Sequence, residues 1–68
     1  MSVYKISEVI GTSTESWQDA AVTAINTAKG TLRDLRVAEV LEQDIDLGDG
    51  GVLFRVKLSI SFKYEGDE

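Results

Sequence analysis

Two stretches of about thirteen residues, each alternating apolar with polar side chains, flank the turn Gly48-Asp49-Gly50-Gly51. Period-two alternation sends successive side chains to opposite faces of an extended strand, and an Asp-Gly pair suits the positive φ angles of a tight hairpin. The spacing predicts one strand from Leu35 to Leu47 and the next from Val52 to Tyr64. With Asp49 and Gly50 central in the turn, Leu47 faces Val52, Ile45 faces Phe54, Leu41 faces Leu58, Val37 faces Phe62 and Leu35 faces Tyr64. On the other face Asp44 meets Arg55 and Glu42 meets Lys57. A single register thus pairs apolar with apolar and acid with base, and a register one pair looser keeps the same faces.

The N-terminal half is built differently. Val3 to Ile10 alternates as a strand and is broken by Gly11-Thr12-Ser13. Thr12 and Glu15 have capping-box spacing. Trp17, Ala20, Ala21, Ala24, Ile25 and Ala28 then form one helical stripe, predicting a helix over Thr14 to Lys29 with Gly30 as its positive-φ C′ residue. Glu15, Gln18, Asp19, Thr23 and Asn26 take the outer face. The order is β-α-β-β, an α+β fold in a single domain over residues 1–68.

Such a molecule is incomplete alone. A helix of about 16 residues reaches roughly 24 Å, whereas strands of about 13 residues reach roughly 44 Å. The apolar strip from Val52 to Tyr64 is left partly wet, and patches of that kind mark interfaces. A chain of 68 residues also buries only about 60% of its unfolded surface and wants a staple. Cysteine and histidine are absent, which removes disulfides and the usual zinc ligands. Self-association is the staple that remains. The net charge of −5 and pI near 4.5 argue against nucleic acid and against an anionic membrane surface. No apolar run approaches a membrane span, and Met1-Ser2-Val3-Tyr4-Lys5 lacks the layout of a secretory signal, so a cytoplasmic protein is expected.

Nothing in the chain suggests catalysis. The commonest acid-base group and the thiol nucleophile are missing, and the glycines lie in a hairpin rather than in a phosphate loop. Ser13 and Ser16 have a local capping explanation. Glu42, Asp44, Asp46 and Asp49 lack the spacing of an EF-hand. Asp44–Arg55 and Glu42–Lys57 read first as solvated sheet pairs, and Trp17 as core. Glu39 is expected on the apolar face, opposite Ile60, where a buried carboxylate needs a partner, a basic residue or backbone amide of another subunit being one candidate. An oxygen-only metal site would have to be assembled across subunits. Glu15 and Asp19, four apart on the outer helix face, are its candidates, with Asp44 and Asp46 as strand-borne rivals.

From Val3-Tyr4-Lys5 to Phe62-Lys63-Tyr64-Glu65-Gly66 the chain resembles the dodecin family. Gly11-Thr12-Ser13, the alanine-rich helix, Ala38-Glu39-Val40 and Phe62-x-x-x-Gly66 carry the resemblance by their order and spacing. It implies an antiparallel three-stranded sheet wrapped around one helix, and twelve subunits forming a hollow sphere with cubic symmetry. Well-known members bind flavin pairs, with a strand-two tryptophan stacked on the ring and a strand-three glutamine holding it. Those positions are Val37 and Arg55 here, and valine has no π-face. Trp17, Arg36-Val37-Ala38 and Glu42-Gln43-Asp44 resemble the calcium-dodecin subgroup instead. The expectation is a non-catalytic homododecamer that binds or stores an ion or small ligand, with calcium as the implied cofactor and weak or no flavin binding. The ligand pocket is expected around Val37, Arg55, Glu42 and Asp46, and the metal at Glu15, Asp19 and Asp44. The alternatives are a flavin-sequestering shell with a remodelled site, and a structural assembly without a ligand.

Overall fold

The computed structural model describes residues 2–48 and 50–64 and contains the four expected elements. They are β1 (Tyr4–Ser13), α1 (Trp17–Ala28), β2 (Leu35–Asp46) and β3 (Leu53–Lys63). Asp49 at the turn and Gly66 of the terminal motif lie outside the described residues. β3 is central in an antiparallel sheet of order β1-β3-β2. That position explains its burial pattern: Val56, Leu58 and Ile60 are each 1% exposed and meet Ala20, Ala24 and Ala28 of the helix.

β1 does not break at Gly11 but pairs with β3 as far as Ser13↔Phe54. Gly11 has another purpose. A Cβ there would overlap the carbonyl oxygen of Ala20 and come within 2.8 Å of Ala24 Cβ, so the residue admits the helix backbone onto the strand. The longer strand displaces the expected cap. Thr12 and Glu15 do not bracket the helix start; Ser16 is the N-cap, and its Oγ accepts from the Asp19 N–H at 2.9 Å. Ser13 Oγ accepts from the Glu15 N–H at 2.8 Å and donates to Asp19 Oδ2 at 2.7 Å, which ties the end of β1 to the first turn of α1.

The C-terminus of the helix also departs from expectation. Lys29 is the C-cap, and the N–H groups of Gly30 and Thr31 donate to the carbonyls of Thr27 and Ala28 in a tightened last turn. Gly30 therefore needs no positive φ; the left-handed residue before β2 is Asp34, at φ 54°. Asp and Asn tolerate that region better than other side chains.

The expected hairpin register holds beside the turn, with Ile45↔Phe54, Asp44↔Arg55 and Glu42↔Lys57. Beyond it the ladder shifts between Val40 and Glu42 and again between Leu35 and Val37, giving Val40↔Leu58, Ala38↔Ile60, Val37↔Ser61 and Leu35↔Phe62. The pairs expected for Leu41, Val37 and Leu35 are thus replaced. A bulge inserts one residue and exchanges the faces of all that follow. Glu39 consequently sits opposite Ser59 on the face turned away from the helix, exposed to solvent, and not on the apolar face opposite Ile60.

Candidate functional site

By ladder alternation, the sheet face turned away from α1 carries Tyr4, Ile6, Glu8 and Ile10 from β1. It carries Arg55, Lys57, Ser59 and Ser61 from β3, and Val37, Glu39, Glu42, Asp44 and Asp46 from β2. Bases thus run along the central strand with acids on both sides. Arg55 is forked onto Asp44, Nε to Oδ1 at 2.7 Å and the second nitrogen to Oδ2 at 2.8 Å. The hydrogen bonds from Arg55, helped by its charge and opposed by partial desolvation, hold the Asp44 carboxyl below the usual carboxylate range. Lys57 stands opposite Glu42 but reaches instead across the ladder to Glu8, Nζ to Oε1 at 3.7 Å. The expected Glu42–Lys57 contact is therefore a register pair rather than an ion pair.

Asp44 is fixed through its backbone as well. The Trp17 indole N–H donates to the Asp44 carbonyl at 3.0 Å, and the indole meets Phe54 edge-on at 5.3 Å and 76°. Trp17 is half-buried, packed against the core while its polar tip crosses to β2. The first turn of α1 and the charged end of the hairpin form one clasped unit.

Within one chain the residues singled out from the sequence fall into four places. Glu42, Asp44 and Arg55 line a cleft of about 120 Å³ with Ile10 and Lys57. A separate cleft of about 200 Å³ lies between β2 and the end of α1, bordered by Leu35 to Ala38 on one side and by Ile25, Lys29 and Ile60 on the other; Val37 touches its rim although its pairing with Ser61 places it on the opposite sheet face. The ladder partners of Val37 and Asp44 are Ser61 and Arg55, six residues apart on β3 and so roughly 20 Å distant. Val37 and Arg55 are therefore not brought together by one copy. Asp46 lies by the turn, where its Oδ1 accepts from the Gly48 N–H at 2.9 Å. Glu15 and Asp19 do not share a helix face, because Glu15 precedes the N-cap. Asp19 is in the first turn, where a carboxylate is favoured by the unpaired amides.

The capping role expected of Ser13 and Ser16 is found, but the helix start set by it lies beyond the Thr12–Glu15 box, and the reach of Glu8 to Lys57 was not anticipated. Ser16-Trp17-Gln18-Asp19 has the same capping spacing as Thr12 to Glu15 and stands directly before the apolar stripe. Glu8 faces β3 with the alternation of its strand, but its diagonal reach to Lys57 depends on how β1 docks.

A family model described as Dodecin matches residues 3–65. The chain belongs to the dodecin family. It is 47% identical over 64 residues to the calcium dodecin of Mycobacterium tuberculosis, covering 93% of this chain and 90% of that one. The crystal structure of a calcium dodecin from the same organism, described as having a novel calcium-binding site, superposes with a TM-score of 0.86 at 43% identity, covering 98% and 97% of the two chains. A dodecin from Streptomyces coelicolor superposes with a TM-score of 0.90 at 33% identity, covering 97% and 96%. A point variant of Thermus thermophilus dodecin gives 0.89 at 37% identity, covering 98% and 100%. The β-α-β-β subunit with its antiparallel three-stranded sheet is thus the dodecin subunit. Among the described residues, no three acidic, cysteine or histidine side chains of one copy stand close enough to hold a metal ion.

Proposed function

We propose that this chain is a non-catalytic ion- or small-ligand-binding dodecin that assembles as a hollow homododecamer and takes calcium in preference to flavin. The observation that carries the reading is the 47% identity with a calcium dodecin over nearly the whole length, in a chain whose only strong ligands are oxygens. Carboxylates suit a hard cation of that kind. Glu15 and Asp19 at the start of α1 are the proposed metal ligands, with Asp44 joining only where the ion displaces Arg55. The pocket positions Val37, Arg55, Glu42 and Asp46 are proposed to meet their counterparts from neighbouring copies. Valine at position 37 provides no aromatic platform, which supports weak flavin binding. A dodecamer multiplies the net charge of −5 twelvefold, and counter-ions relieve the resulting self-repulsion. No helix among the described residues is long and apolar enough to cross a membrane, and the cytoplasm is the proposed compartment.

Calcium is expected to raise the thermal midpoint of the assembly more than sodium at equal ionic strength. Glu15→Gln combined with Asp19→Asn is expected to abolish the difference, since both keep size while removing the charge and one acceptor oxygen each. Equal effects of calcium and sodium on the unaltered protein would reduce the stabilisation to screening and overturn the calcium reading.

A further inference from the structure

Trp17 is the one tryptophan of the chain and the first residue of α1, and it stands between the two groups of acids assigned above. Its ring meets Phe54, whose ladder partners are Ser13 at the end of β1 and Ile45 on β2. The helix packs chiefly on β1 and β3. Among the described residues, the hydrogen bond that crosses from α1 to β2 is the one from the Trp17 indole N–H to the Asp44 carbonyl, at 3.0 Å. On the helix side, Ser16 precedes Trp17 as the N-cap and Asp19 follows within the same turn. The Ser13 hydroxyl donates to Asp19 Oδ2 at 2.7 Å and accepts from the Glu15 N–H at 2.8 Å, so one serine sets the placement of both acidic residues. On the strand side, Asp44 holds Arg55 by two hydrogen bonds of 2.7 and 2.8 Å.

Asp19 and Asp44 are exposed, whereas the tryptophan between them is half-buried. A packed ring transmits a displacement, because packed groups shift between discrete arrangements and do not deform continuously. β2 is the compliant partner, since it is paired with β3 along one edge only. We propose that Trp17 is a positioning residue that couples the acids at the start of α1 to the Asp44–Arg55 fork. With the Asp19 carboxylate turned to a cation, the Ser13 hydroxyl loses its acceptor, the first turn shifts, and the indole N–H leaves the Asp44 carbonyl. Asp44 then parts from Arg55 and becomes available as an oxygen ligand. The clasped state opposes cation binding in return, because coupling between two sites is reciprocal. This rests on the calcium reading above and supplies the route by which Asp44 gives up Arg55.

Because the chain has a single tryptophan, growth on benzothienylalanine alters position 17 alone, exchanging the indole N–H for sulfur while keeping the shape of the ring. Trp17→Phe removes the same donor should the analogue fail to fold, and circular dichroism checks both. The Arg55 Nε–H and Trp17 indole N–H resonances are followed through a calcium titration of the assembled protein, with the thermal midpoint measured in parallel. In the unaltered protein the two signals are expected to move together, the arginine toward the position of an unpaired guanidinium. Without the indole donor, the Arg55 signal is expected to lie near that released position before calcium is added and to stay there. Calcium is still expected to raise the thermal midpoint, at a half-effect concentration lower by about five-fold or more, because the opposing clasp is gone. Stabilisation of the unaltered protein with both signals unmoved, or an Arg55 response that survives loss of the donor, would overturn the coupling alone. A calcium effect no larger than that of sodium would overturn the calcium reading and the coupling with it, so the two failures are distinguishable.

Discussion

Gly11 and the Asp44–Arg55 fork are the residues on which the local geometry most depends. Gly11→Ala drives a methyl into the Ala20 carbonyl, which belongs to the helix backbone and cannot turn aside. The helix must lift from β1, at a cost of about 1–3 kcal/mol, read as a lower urea midpoint. Gly50→Ala is the control: a Cβ there meets nothing within 4 Å, so stability is expected to change by less than about 1 kcal/mol. Asp44 gives a pH signature. Its folded carboxyl is held below the usual range, so its contribution to stability is present above the unfolded value near 4 and fades as the pH falls through the folded one. Carbon-detected NMR should show Asp44 titrating below the usual aspartate range. Arg55→Gln should return it toward that range; an unmoved titration would mean that the fork is absent in solution.

At the scale of the elements, the strand-to-helix junction is held by Ser16 rather than by Thr12. Ser16→Ala removes the acceptor of the Asp19 N–H and is expected to cost about 1 kcal/mol, whereas Thr12→Ala should leave the thermal midpoint nearly unchanged. The capping-box pattern was legible in the sequence at two positions, and tertiary structure chose between them, because β1 gains three further ladder pairs by running to Ser13. The hairpin was legible at its charged end, where opposite charges and the glycine turn agree. Its distal half was not, since a bulge leaves no mark in an alternating pattern that tolerates Val37, Val40 and Leu41 on either face. Glu39 follows from the same event: the extra residue carries it from the apolar face into water.

For the whole molecule, the exposed apolar side chains of β2 and the outward Ile6 and Ile10 leave more apolar surface than a 68-residue monomer usually keeps. Size-exclusion chromatography with light scattering is expected to give about twelve times 7.4 kDa. A monomer at micromolar concentration would refute the assembly. Flavin affinity belongs to the same scale, because the 200 Å³ cleft by Val37 is open in one copy and the proposed pocket joins residues of several. Riboflavin is expected to bind with a Kd of about micromolar or weaker. Val37→Trp should tighten it about ten-fold or more by restoring a stacking face, measured by quenching of flavin fluorescence. Nanomolar binding by the unaltered chain would show that another platform exists.

The sequence alone determined the kind and order of the elements, since helical and strand periodicities differ and glycines mark the hairpin. Composition, through the absence of histidine and cysteine and the excess of acid, left oxygen ligands and self-association as the chemistry available. Tertiary structure decided what periodicity leaves degenerate: which serine caps the helix, where the β2 ladder slips, and which acid each base takes. These outcomes depend on contacts between segments distant in the chain. Ser13↔Phe54, Val40↔Leu58 and the Trp17 to Asp44 hydrogen bond have energies set by docking geometry, and no local pattern encodes them.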